Sequence, residues 1–237
     1  MVMKYSIKVF ISLFIGILLT LPALAQESVG VIAKSSGATF HKKFNTDDYS
    51  PKAVMGTQLK NHDWIKTGKD GFIAVFFLDD KSQLKVKGTS ELEILAAVER
   101  GKISKTISMD YGTVKANVSN QKGEFRIATP TSVASVKGTE WWVQTNENGD
   151  VFIVLDGIVE VENLISGVVQ NVGQNQTANS NADGSVDVQE TKSGDIPDDP
   201  DDTTGNRDDS STIHELKIRL TNPESNSDKY IIIEYSE

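Results

Sequence analysis

Three histidines, His41, His62 and His214, stand far apart in a 237-residue chain that contains no cysteine. None of them has the H-x-x-x-H spacing that places two imidazoles on one metal ion. Thiol catalysis is excluded, and neither a nucleophile elbow nor a phosphate-cradling glycine loop is present. The acids Glu91/Glu93 and Glu160/Glu162 are two residues apart, on one face if their segments are strands. Lysines lie nearby, so a solvated outer face explains them better than paired acid–base chemistry. The densest run of oxygen ligands is the tract Asp195–Asp209, with seven Asp against Arg207 alone. Asp199, Asp201 and Asp208 are its best calcium candidates. A calcium loop of the helix–loop–helix kind needs glycine at its sixth place, and Gly205 falls seventh when counted from Asp199. A self-repelling spacer is the plainer reading of the tract. No cofactor is implied.

The stretch "VKGTEWWVQTNENGD" sets Trp141 beside Trp142, two of the three tryptophans in the chain. On a strand, adjacent side chains point to opposite faces. One indole can enter a core. The other needs a second packed layer or a cover, or it stands exposed to meet a protein or stack on a sugar. Trp142, and with it Trp64, is therefore the partner-binding candidate.

The net charge of −9 and the pI near 4.9 argue against nucleic acid and against anionic membrane surfaces. The N-terminus carries Lys4 and Lys8, then an apolar run from Val9 to Leu21, Pro22, and Ala23-Leu24-Ala25. That is the layout of a secretory signal peptide over residues 1–25. The apolar run is short against the ~20 residues of a spanning helix, so cleavage is expected before Gln26 rather than retention as an anchor. Loss of the two lysines takes the net charge from −9 to −11. With no thiol to lipidate, the expectation is a periplasmic or secreted protein that is not a lipoprotein. No disulfide can staple the fold, so burial must hold it.

The elements that would position these residues are strands. From Val29 to about Val172, short runs rich in Val, Ile, Phe and Thr are separated by Gly, Asn and Asp. In "GFIAVFFLDDKSQLKV", Ile73, Val75 and Phe77 share one face and Phe72, Ala74 and Phe76 the other, so this strand is expected to be covered on both sides. Leu84 and Val86 alternate with Lys85 and Lys87, as in a half-exposed strand. "SELEILAAV" could be a short helix by propensity, but strand neighbours favour strand. Asn148-Gly149 predicts a type I′ hairpin turn. Pro130 cannot donate to a ladder, so it marks a strand end or an edge. Residues 179–210 are too polar to form a core and read as a linker, disordered from about Ser180. Residues 211–237 read as a β-hairpin, which needs a further surface to be stable.

"RIATPTSVASVKGTEWWVQTNENGDVFIVLDGIVEVEN" resembles the signature of the FecR domain family. Thr129, Pro130, Val136, Gly138, Thr139, Trp141, Val143, Gly149, Val154, Leu155, Asp156, Gly157, Val159, Val161 and Asn163 occupy its positions. "WIKTGKDGFIAVFFLDDKSQLKV" resembles the upstream half, departing from it at Lys81, where the family often has glycine. The likeness spans about Val29 to Ala178.

The resemblance implies an all-β domain, as a multi-stranded antiparallel sandwich or a short solenoid-like roll over residues 26–178. It places Trp141 in the core, and a β-bulge at Gly138 would reconcile its parity with that of Val136. Founding members of the family relay a signal from an outer-membrane transporter to an anti-sigma segment inside the cell. Because this sequence opens on an export leader, the implied role is narrower. It is a non-enzymatic exported module contacting an envelope or surface protein, in sensing or assembly, with a carbohydrate- or peptidoglycan-binding module as the alternative.

Overall fold

The computed structural model describes residues 27–99, 102–119, 123–201, 213–222 and 227–236, with side chains left out for Val98, Glu99 and nearly all of the last two segments. The signal peptide expected at 1–25 lies outside the described residues. Every element described is a strand, apart from one 3-10 turn at Ser193–Asp195.

The first strands are β1 (Ser28–Ser36), β2 (Thr39–Lys42), β3 (Gln58–Lys60), β4 (Asp63–Thr67), β5 (Phe72–Phe77), β6 (Gln83–Val86), β7 (Ser90–Glu99) and β8 (Lys102–Asn117). Then come β9 (Phe125–Ala128), β10 (Ser132–Val136), β11 (Glu140–Asn146), β12 (Gly149–Asp156), β13 (Ile158–Asn163), β14 (Val169–Gly173), β15 (Gln176–Asn181) and β16 (Val186–Glu190). Two sheets result. Sheet A runs β3-β1-β5-β6-β8-β11-β12-β15-β16, and sheet B runs β2-β4-β7-β8-β9-β10-β13-β14. The chain alternates between them, singly over β1–β4 and mostly in pairs of strands afterwards, so the body is a two-layered roll with open edges.

Strand β8 belongs to both sheets. Its first part, from Lys102 to Tyr111, pairs with β7 in sheet B. Its last part, to Asn117, pairs with β6 and β11 in sheet A. The change of sheet falls where Asp110 bulges out of register and Gly112 takes φ 123°. A Cβ at Gly112 would lie 2.5 Å from the Ser90 Cα, so only glycine fits. After β8 the chain crosses back and lays β9 parallel to the first part of β8, while the other pairings are antiparallel. This parallel pair departs from the all-antiparallel expectation, and its cause is that crossover.

Inward side chains of both sheets form one core. Ile73, Val75, Phe77, Val114 and Trp141 come from sheet A, and Ile65, Leu92, Ile107, Phe125 and Val159 from sheet B. Phe77 meets Phe125 edge-on across the layers, with centroids 5.8 Å apart. "SELEILAAV" is strand, because Leu92 and Ile94 alternate into this core. Phe72 and Ala74 are buried on the opposite face of β5 and Phe76 is half-buried, as expected of a strand covered on both sides.

Three local expectations change. The β11–β12 turn pairs Asn146 with Gly149, so the loop is Glu147-Asn148, and Gly149 alone takes positive φ, 135°. It is not type I′. The Asn146 side chain accepts from the Asn148 N–H at 2.8 Å and stabilises the alternative. No strand bulge occurs at Gly138: the chain crosses there from β10 in sheet B to β11 in sheet A. Val136 and Trp141 therefore enter the same core from opposite layers. Residues 179–201 are also not a disordered linker. They include the end of β15, all of β16 and the segment after it, whereas residues 202–212 lie outside the described residues. The expected C-terminal hairpin is present as β17 (Ile213–Asn222) and β18 (Ser227–Ser236), a two-stranded sheet of its own.

Lys105, fully buried on β8, reaches the β5–β6 turn and donates to Asp79 at 2.7 Å and to Asp80 at 2.6 Å. In that turn Lys81 takes φ 63°, the left-handed conformation that glycine adopts freely. Lys105→Met is expected to destabilise by roughly 2–4 kcal/mol in urea unfolding, since it strands two carboxylates of which Asp79 keeps some access to water. Lys81→Gly is expected to stabilise by about 0.5–1 kcal/mol, because removal of left-handed strain exceeds the added unfolded-state entropy.

Candidate functional site

The signature residues gather at crossings between the sheets. Thr139 Oγ1 donates to the Ile158 carbonyl at 3.0 Å, and Thr139 exchanges backbone hydrogen bonds with Val118. Gly157, at φ 87°, sits so close that a Cβ would lie 2.8 Å from the Gly138 carbonyl oxygen. Asp156 and Gly157 thus turn β12 into β13 against the β10–β11 crossing. At the other end, buried Asp150 accepts from Thr129 at 2.6 Å and from Thr131, on either side of exposed Pro130. Ser132 donates to Ser180 at 2.9 Å, and Asn163 donates to the same oxygen. This polar clasp joins β10 and β13 of sheet B to β12 and β15 of sheet A. Gly149 belongs here too, since a Cβ would come within 2.4 Å of the Ser180 carbonyl oxygen. These residues hold the fold together.

Residues 63–160 match the family described as FecR protein. This stretch is a FecR domain. The match begins at β4 and ends inside β13, so the two-layered body extends beyond the FecR domain at both ends. Two crystal structures of a candidate anti-sigma factor from Parabacteroides distasonis ATCC 8503 are similar at 17% and 16% identity, with TM-scores of 0.47 and 0.46. Each alignment covers 54% of this chain and 60% of that one, so less than two thirds of that protein is spanned. No curated protein matches this chain.

Of the acids read as solvated, Glu91 and Glu93 are held in place. Glu91 accepts from Tyr49 at 2.7 Å, Tyr111 at 2.9 Å and Lys66 at 2.9 Å. Burial opposes its charge, but those three donors hold it below the usual carboxylate range. The same carboxylate, added to burial, pushes the Tyr49 phenol well up. Glu93 pairs with His62 at 2.8 Å, while Glu160 and Glu162 are exposed. His41 and Asp63 form a buried pair at 2.9 Å. Burial opposes the Asp63 charge, but the His41 bond, followed by those from the N–H groups of Phe44 and Lys60, holds its carboxyl down. His214 lies on β17, outside the described side chains. Trp64 is half-buried beneath the Lys42 ammonium, 4.8 Å from its centroid.

The outer face of sheet A carries an arrangement that the sequence reading missed. Cross-strand partners form a row: Lys34 beside Ala74, Ala74 beside Lys85, Lys85 beside Lys115, Lys115 beside Trp142 and Trp142 beside Ile153. Two like charges face each other directly, which costs free energy unless neutralised. Glu140, 2.7 Å from Lys115, supplies part of the neutralisation, and the acidic tract supplies the rest. After β16, Thr191 donates its N–H to the Asn175 carbonyl, and the chain then runs as a strap onto this face. Asp199 lies 3.0 Å from both Lys85 and Lys115. Asp201 lies 2.8 Å from Lys34, and Lys87 donates to the Asp198 carbonyl at 2.7 Å. The Lys87 and Lys115 ammonium groups stand 5.6 and 5.7 Å from the Trp142 ring centroid.

Trp142, the partner-binding candidate, is only 1% exposed and so presents no stacking surface in this state. Of the calcium candidates, Asp199 and Asp201 are engaged by lysines, and Asp208 lies outside the described residues. Among the described residues no three His, Asp or Glu cluster as a metal site. The available signal was the alternation of Lys85 and Lys87 together with one dense acidic run of opposite sign.

Burial raises the cost of charge on Asp199, yet bonds from Lys85, Lys115 and the Asp201 N–H hold its carboxyl below its ordinary value of 3.8. Lys115 is held up by Glu140 and Asp199 against desolvation. A depressed carboxylate stabilises the folded arrangement above its ordinary value, and that stabilisation fades as pH falls through the lowered one. Tryptophan emission is therefore expected to shift red as pH falls below about 4, where protonation of Asp199 loosens the Lys115 ammonium that lies over Trp142. Asp199→Asn is expected to give the shifted emission already at pH 7.

Proposed function

We propose that this chain is a non-enzymatic exported FecR-type module, periplasmic or secreted, that contacts an envelope or surface protein in sensing or signalling. The observation that carries this reading is the FecR domain over residues 63–160. Three features support it. The sequence opens on a leader-like segment. His41, His62, Asp63, Glu91 and Glu93 are engaged in structural pairs. The β17–β18 hairpin stands as a two-stranded sheet, a unit that is marginal in water without further contact. A partner protein is the natural source of that contact. The reading includes neither nucleic acid nor a membrane surface among its partners, in keeping with the acidic balance. The carbohydrate-binding alternative loses its main residue while Trp142 is covered, and rests on half-buried Trp64 alone.

Cross-linking and affinity capture from envelope extract test the proposal, run beside sedimentation with peptidoglycan. The full chain is expected to capture a defined protein and to stay in the supernatant with peptidoglycan. A form ending at residue 210 is expected to lose most of that capture while keeping its unfolding transition. Co-sedimentation with peptidoglycan and no captured protein would replace the proposal with the glycan reading.

A further inference from the structure

We infer that the outer face of sheet A is a docking site for an acidic, proline-containing extended segment of a partner protein, and that the chain's own strap occupies it as a removable stand-in. This deepens the reading of the chain as a protein-contact module and rests on it.

The face cannot stay bare at low cost. Lys85 and Lys115 are directly opposite, Lys34 lies on the same row, and Lys87 adds a fourth ammonium close by. Beside them lies an aromatic surface, Trp142, flanked by Ile153. Cations around an indole make a site for carboxylates set on an extended backbone with some apolar area. The occupant has that form. Asp199 and Asp201 bracket Pro200, and the Asp201 N–H donates to Asp199 at 3.1 Å, which fixes the spacing of the two carboxylates. Asp199 then bridges the facing lysines, and Asp201 reaches Lys34 and, at 3.5 Å, Lys85.

The occupant is held in a way that permits exchange. Beyond Thr191, the described hydrogen bonds from the strap to the sheet come from lysine side chains, with no β-ladder. The Lys34–Asp201 pair keeps access to water and is screened by salt, and Asp199, though nearly buried, is attached to the sheet by lysine side chains alone, so the strap is the kind of segment that opens first. A partner presenting the same acid-Pro-acid spacing gains these contacts when the strap leaves.

The probe is a fluorescein-labelled peptide copying residues 194–203, measured by anisotropy against the full chain and against Asp199→Asn/Asp201→Asn. The double variant is expected to bind at least tenfold more tightly than the unsubstituted chain. A peptide with all its aspartates changed to asparagine is expected not to bind. Adding Lys85→Ala and Lys115→Ala to the variant is expected to abolish binding, with the unfolding transition checked in parallel. Equal binding to variant and unsubstituted chain, or equal binding of the asparagine peptide, would overturn the inference. So would displacement of the peptide by a sulfated polysaccharide at equal charge concentration, which would make the face a general polyanion site. A concentration-dependent dimer of the unsubstituted chain that exchanges straps would reassign the occupant to a second copy, and would also overturn it. Failure here with protein capture intact in the cross-linking experiment leaves the module's general role standing. Failure of capture alone removes that role.

Discussion

The structure depends on one strand being shared by two sheets. β8 starts against β7 in one layer and finishes between β6 and β11 in the other, hinging at Asp110–Gly112. Gly112 is required because Ser90 lies where a side chain would go, and the Ser90 hydroxyl accepts the next N–H, that of Thr113, at 3.0 Å. Both major electrostatic features hang on this strand. Lys105, on the first part, ties down the β5–β6 turn, and Lys115, on the second, supplies the centre of the lysine row. A slip of one residue in β8 would exchange its inward and outward side chains and undo both features together.

The two lysines illustrate how burial changes the meaning of an ion pair. Lys105 is out of water and held by two carboxylates, so its loss leaves charges stranded and its role is structural. Lys85 and Lys115 keep partial access to solvent, and Asp199 faces them from a segment with few other attachments. There the cost of desolvating Asp199 offsets much of the attraction, so the net gain is modest. An arrangement of modest gain suits a contact that has to be made and broken, and suits a rigid turn poorly. The chain is acidic overall, yet it concentrates cations on one face and covers them with part of its own acidic tract.

Much of the fold was legible in the residues. The alternation of Ile73, Val75 and Phe77, the polar partners Lys85 and Lys87, and the family likeness over Thr129–Asn163 correctly indicated a layered all-β body with Trp141 inside. What was not legible depends on contacts between distant parts of the chain. Parity within "VKGTEWW" could not show that the chain changes sheet at Gly138, so a bulge looked necessary. The composition of residues 179–201 could not show that lysines from three separate strands, with Lys87 just past the end of one of them, would give the aspartates a reason to be ordered. Low hydrophobicity signals disorder only where no complementary charge waits elsewhere in the fold. The left-handed conformation at Lys81 was visible only as a departure from the family pattern.

The FecR signature and the lysine face answer different questions. Gly138, Thr139, Asp156 and Gly157 are spent on the passage between layers, and Thr129 acts through buried Asp150 to fasten the opposite end. Thr129 and Thr139 spend their hydroxyls on these internal bonds. The signature pattern transmits architecture and leaves the outward-facing positions unconstrained. Lys85 and Lys115 are outward-facing positions inside the matched stretch, whereas Lys34 and the strap that covers them lie beyond it. In this chain the crossings are built by one set of residues, and the outer face pairs with a flanking segment through another. That pairing is the part of this molecule where specificity can reside.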